Sequence, residues 1–158
     1  MSKKFKKFAA GLMATASLAT GMVGMSANAS YYDDYFSNFV VSGYSTHYTS
    51  TREKEDDTSA SIRIDSTNPS GCKLRVYVYG TYSNTSNGID KTAGSPKIVG
   101  AASYYTYLPN YVWEDMKWDD NGHLHDNLYA FLGFRTSSTP NGQPEFYATG
   151  YWSPDSIW

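Results

Sequence analysis

Cysteine is almost missing from this chain: one of its 158 residues, Cys72, carries a thiol. An intramolecular disulfide is therefore excluded, and whatever fold forms must be held by packing. Cys72 follows the turn Asn68-Pro69-Ser70-Gly71. There it reads as a small, half-buried residue at a strand entrance, with an exposed thiol or an intermolecular bridge as the alternative. Helical periodicity is missing too, since no window of eleven or more residues repeats apolar side chains at the spacing of a helix face. The recognised catalytic signatures do not occur either: there is no Gly-x-Ser-x-Gly elbow, no His-Glu-x-x-His, no Gly-rich phosphate loop and no Cys-x-x-Cys. Nothing in the sequence places a histidine beside Cys72, so a cysteine nucleophile has no base to activate it. No internal repeat and no Pro/Ser-rich linker marks a second domain.

Long apolar stretches are also scarce, with one exception at the start. Lys3, Lys4, Lys6 and Lys7 precede a run from Phe8 to Met25 without a single charge, and Ala27-Asn28-Ala29 closes it. Four positive charges, an apolar segment and small residues at −3 and −1 predict a secretory signal peptide over residues 1–29, cut between Ala29 and Ser30. A permanent anchor is the alternative. However, Gly11, Ser17, Gly21 and Gly24 dilute the run, whereas spanning helices are rich in Leu, Ile, Val and Phe. The expectation is a secreted protein, extracellular or associated with the cell wall, with no membrane span once matured.

Removing that segment changes the charge. All 15 acidic residues lie after residue 29, and four of the 13 basic ones lie before it. Nine basic against fifteen acidic residues leave −6 in place of −2. An acidic domain argues against nucleic acid and anionic lipid as partners, because both need basic patches that release counterions. The predicted organisation is a signal peptide (1–29), a flexible leader (30–37) and a single β domain (38–158).

What the mature part does have is tyrosine. All 15 Tyr, four Trp and five of the seven Phe fall in it, within Val- and Thr-rich runs separated by Gly, Asn, Pro and Ser. Period-two alternation marks strands. In Lys73–Tyr82, Leu74, Val76 and Val78 point one way and Arg75, Tyr77 and Tyr79 the other. In Asn127–Arg135 both faces are apolar, which predicts a central strand covered on both sides. Further strands are expected at Phe39–Thr49, Ser59–Asp65, Ile98–Leu108 and Glu145–Trp152. The fold class is all-β, an antiparallel sandwich or small barrel of about six to eight strands. Tyr covers sheet edges well, with its hydroxyl in water. It can equally form a platform on which sugar rings or a partner's apolar groups stack, and Tyr77, Tyr79, Tyr151 and Trp152 are the candidates for that face.

Two other constellations carry chemistry. Asp119-Asp120-Asn121-Gly122-His123-Leu124-His125-Asp126 has the flavour of a metal site, since His123 and His125 share a face if extended and Asp119 supplies oxygen. It lacks the calcium-loop ladder and a third nitrogen or sulfur ligand, and a polar turn accounts for it equally. Glu114 and Glu145 are the only glutamates in strand-like surroundings that a two-carboxylate glycosidase would use. Their flanking residues do not resemble such enzymes. No cofactor is expected.

The segments Lys54–Ile62, Tyr107-Leu108-Pro109-Asn110-Tyr111-Val112-Trp113-Glu114 and Ala148-Thr149-Gly150-Tyr151-Trp152-Ser153-Pro154-Asp155-Ser156 together resemble small secreted β proteins of Gram-positive bacteria, which end in a similar Gly-x-Trp-Ser-Pro-Asp-Ser. That resemblance implies no activity. Val41-Ser42-Gly43-Tyr44-Ser45-Thr46-His47-Tyr48, with Ser59-Ala60-Ser61-Ile62, is similar to the start of lactococcin 972-like bacteriocins, which implies a β-sandwich effector against competitor bacteria. The leading expectation is a non-enzymatic secreted domain that binds a cell-surface or extracellular partner. The alternatives are a bacteriocin-like effector and a carbohydrate-binding module.

Overall fold

Alternation decides which side chains are buried. Leu74, Val76 and Val78 are each at most 1 % exposed, while Arg75, Tyr77 and Tyr79 lie on the opposite face of one strand. The computed structural model describes residues 33–155. The signal peptide, its Ala29/Ser30 junction and the first residues of the leader lie outside that range. Within it, the chain runs β1 (Asp34–Ser42), β2 (His47–Tyr48), β3 (Arg52–Glu53), β4 (Ala60–Asn68), β5 (Lys73–Thr81), β6 (Ile89–Asp90), β7 (Lys97–Gly100), β8 (Thr106–Leu108), α1 (Val112–Met116), β9 (Tyr129–Ser138) and β10 (Glu145–Ser153).

Two antiparallel sheets form the predicted sandwich. One has the order β1-β10-β4-β8. In the other, β9 and β5 are central, β2 and β3 pair with β9, and β6 and β7 pair with β5. The core between them takes Val41, Ile62, Ile64, Phe146, Ala148 and Trp152 from the first sheet. Leu74, Val76, Val78, Ala130, Leu132 and Phe134 come from the second. Each Val, Leu, Ile or Phe among them taken fully out of water contributes roughly 1.5–3 kcal/mol, which is how a chain without disulfides keeps its shape.

The chain changes sheets at both sides. β1 belongs to the first sheet and β2 to the second, and Phe36 and Phe39 of β1 pack on Phe134 of β9 at 5.5 and 5.1 Å. On the other side β7 belongs to the second sheet and β8 to the first, with Ala101 bridging Ile64 between them. The expected single strands Phe39–Thr49 and Ile98–Leu108 are thus each two strands in different sheets. Both contain the small and polar residues at which a strand turns a corner (Gly43–Thr46 and Ala101–Tyr105). The leader also ends earlier than expected. Asp34–Ser37 already belong to β1, because Tyr35 and Phe36 pair with Tyr151 and Gly150 of β10.

Two glycines mark close approaches. A Cβ on Gly150 would stand 2.1 Å from the carbonyl oxygen of Arg63, at the point where the β10–β4 register slips. A Cβ on Gly80 would collide with Met116 Sδ at 2.4 Å. Glycine there lets the short α1 seat Val112 and Met116, both buried, on the end of β5.

Candidate functional site

The four residues expected to form one aromatic face do not share one. Tyr151 and Trp152 are consecutive on β10, and consecutive strand residues point to opposite faces. Trp152 is 1 % exposed and belongs to the core, so it is removed from the candidate platform. Tyr77 and Tyr79 stand on the outer face of the second sheet and Tyr151 on the outer face of the first. The sandwich lies between them.

On the outer face of the second sheet the aromatics close over a buried side chain. Phe131 of β9 is fully buried although it points away from the core, because Tyr79 stacks on it (5.2 Å, 14°) and Tyr48 meets it edge-on (5.5 Å). Tyr48 and Tyr79 also meet at right angles, 5.2 Å apart. Burial, with Tyr48 beside it, holds the Tyr79 hydroxyl well above the usual phenol range. This is the two-sided coverage expected for the central strand.

The outer face of the first sheet is organised differently. Tyr35, Tyr151 and Arg63 occupy one row across β1, β10 and β4, paired Tyr35 with Tyr151 and Tyr151 with Arg63. The rings of Tyr35 and Tyr151 lie 5.0 Å apart. The Arg63 guanidinium lies 4.7 Å from the Tyr151 ring and 5.0 Å from that of Tyr105. Its Nε donates to Asp65 Oδ1 at 2.8 Å, which raises the guanidinium further. The Tyr105 hydroxyl donates to Asp33, and burial followed by that bond pushes it up to about 12. Further along the same face of β10, Tyr147 stands half exposed beside a cleft of ≈ 440 Å³. Asn68, Pro69, Gln143, Pro144 and Glu145 line that cleft with it. Here tyrosine rings, amides and a carboxylate are open to solvent along one face, together with a guanidinium held by Asp65 and two rings.

The Asp/His segment is a turn. Asp119 Oδ1 accepts from the backbone N–H of Asn121 and His123 at 2.9 and 2.8 Å, and Oδ2 lies 3.1 Å from His123 Nδ1. Those bonds hold the Asp119 carboxyl below its usual range. His125 instead lies against Tyr82, ring centres 4.2 Å apart. The two histidines therefore take different partners and do not converge. Among the described residues no three His, Cys, Asp or Glu side chains come together as metal ligands. Glu114 and Glu145 are separated as well. Glu114 lies on α1 over Gly80, and Glu145 lies beside the β4–β5 turn, the length of β5 away (about 25 Å at strand rise). Cys72 is buried, and burial raises its thiol.

One constellation was not singled out as chemistry in the sequence. Lys54 is 2 % exposed, and its Nζ donates to Thr58 O (2.7 Å), Pro154 O (3.0 Å) and Asp155 Oδ1 (2.7 Å). All three of its protons are used. Asp155 Oδ2 accepts from the Glu55 backbone N–H at 3.1 Å, and its carboxyl also bonds that of Asp56. The charged turn at 54–58 and the Ser-Pro-Asp ending, distant in sequence, are the two halves of one buried cluster. Their only signal in the sequence is a lysine and an aspartate in distinctive segments, with nothing local to join them.

No curated protein and no solved structure matches the chain. A family model does match, over residues 25–156, and its description is a protein of unknown function, DUF2712. The matched stretch contains the sandwich from β1 to β10, with both halves of the Lys54–Asp155 cluster. On that match the chain belongs to the DUF2712 family.

Proposed function

We propose that the chain is an exported, non-enzymatic binding domain, freed of residues 1–29 between Ala29 and Ser30. It acts outside the cell or at its wall through the outer face of the four-stranded sheet. The ligand class is a neutral polysaccharide. The observation that carries the reading is the row Tyr35–Tyr151–Arg63–Tyr105 together with Tyr147 at the rim of the cleft. Sugar rings present flat C–H faces that pack on tyrosine, while their hydroxyls need fixed amides and carboxylates. Asn68, Gln143 and Glu145 bring two amides and a carboxylate to the cleft beside Tyr147. The surplus of acidic residues after position 29 disfavours anionic polymers, which leaves uncharged glycans as the better match.

The test is electrophoresis through gels containing neutral cell-wall or plant polysaccharides. The expected result is retardation of the wild type that is lost in Tyr147→Ala and weakened in Tyr35→Ala, with Tyr77→Ala unchanged. Retardation that survives Tyr147→Ala and disappears in Tyr77→Ala would move the site to the other sheet.

A further inference from the structure

The Lys54 cluster has more chemistry than an ion pair needs. A buried ammonium whose three protons have three acceptors is already satisfied. The neighbourhood nevertheless adds a second carboxyl, Asp56, bonded to the first, and a backbone N–H aimed at the far oxygen of Asp155. We propose that Lys54 and Asp155 join covalently, through an amide between Lys54 Nζ and Asp155 Cγ, with Asp56 relaying one of the protons.

The step balances within the cluster. The Lys54 ammonium passes the proton it already donates to Asp155 Oδ1 onto that oxygen, which leaves a neutral amine beside a carboxylic acid. The neutral amine then attacks Asp155 Cγ, forming the N–C bond. The developing oxyanion is Asp155 Oδ2, which already accepts from Glu55 N–H, as a donor placed for a tetrahedral adduct should be. Asp56 then takes one further proton from the newly bonded nitrogen and relays it to Oδ1, and collapse breaks the bond from Cγ to Oδ1, which leaves as water carrying that proton and the one it received first. An ammonium and a carboxylate become an amide and one water, with no oxidant, metal or co-reactant.

Three observations support the assignment. Nζ and Oδ1 are held 2.7 Å apart with the lysine side chain fully buried, so the pair is positioned before any reaction, the condition under which intramolecular steps gain most. Burial raises the Asp155 carboxyl despite the nearby Lys54, which favours the protonated, electrophilic form. Burial also pushes Asp56 upward, but bonds from the Thr58 hydroxyl and N–H outweigh it and hold Asp56 low, so that it stays ionised beside Asp155. The two carboxyls are thus driven apart into an acid and a base.

Mass spectrometry of the purified full chain, incubated at neutral pH and then denatured, tests the proposal. The expected wild type is lighter than its sequence by one water. Trypsin should then yield a branched peptide joining Glu53–Arg63 to Thr136–Trp158, uncut after Lys54. Lys54→Arg and Asp56→Asn should show full mass, with circular dichroism confirming that Asp56→Asn still folds. A wild type that releases linear Glu53–Lys54 and Glu55–Arg63 in full overturns the bond. A folded Asp56→Asn that cross-links as completely as the wild type overturns the role of Asp56.

Discussion

The two outer faces of this sandwich use the same residue to opposite ends. On the six-stranded sheet, Tyr48 and Tyr79 lie over Phe131 and make it a second, small core outside the main one. On the four-stranded sheet, Tyr151 and Tyr105 lie against the Arg63 guanidinium, which keeps water and charge at the surface. What a tyrosine does is set by its cross-strand neighbour. Over a hydrocarbon it becomes packing, and over a cation it remains a contact surface. A count of tyrosines, however high, says nothing of function until the neighbours are known.

The largest way to break this comparison is Phe131→Ala. If the six-stranded face is a true second core, the cost is about 3–5 kcal/mol in urea unfolding, as for a buried aromatic elsewhere. A cost under about 1 kcal/mol would make that face an ordinary surface. Val76→Ala, in the main core, should cost about 2–3 kcal/mol and calibrates the first value. Arg63→Ala should cost at most about 1 kcal/mol, because its ring contacts and its pair with Asp65 are partly solvated. Its larger effect is expected on retention by polysaccharide gels.

The smallest effect sharpens both faces at once. In the folded chain Tyr105 is pushed up to about 12, and Tyr79 too is held above the ordinary phenol value of 10.0. A group raised by folding stabilises fully below its unfolded value and loses that contribution as pH climbs through the folded one. Stability should therefore decline from about pH 10 upward. Replacing either tyrosine with Phe should flatten the decline by its own share, as followed by denaturant midpoints across that range.

Strand faces were legible wherever alternation was clean. Leu74, Val76 and Val78 inward, Tyr77 and Tyr79 outward, and β9 covered on both sides all follow from period two and apolarity. Corners were not legible, since Gly43–Thr46 and Ala101–Tyr105 read as weak continuations of strands rather than as crossings between sheets. α1 was missed because five residues cannot display a helical period, and its place depends on a glycine at position 80 far away in sequence. For the candidate site, tyrosine composition pointed to a platform, but pairing Tyr151 with Trp152 ignored the alternation that sends one into the core. Arg63 and Tyr105 were unreadable as a pair because only the β4–β8 crossing brings them together. Lys54 and Asp155 were unreadable for the same reason, with a hundred residues between them.

The place of β10 in its sheet has a consequence for how the chain acquires its fold. Among the described strands β10 comes last and lies between β1 and β4, so neither of these has its main partner until β10 is available. Growing from its N-terminus, the chain must wait with half of its sandwich unformed, and closing such distant pairs is slow compared with closing local ones. A copy truncated before Glu145 loses the middle of a sheet and strands β1 altogether. The arrival of β10 is thus the event that commits the four-stranded sheet to folding.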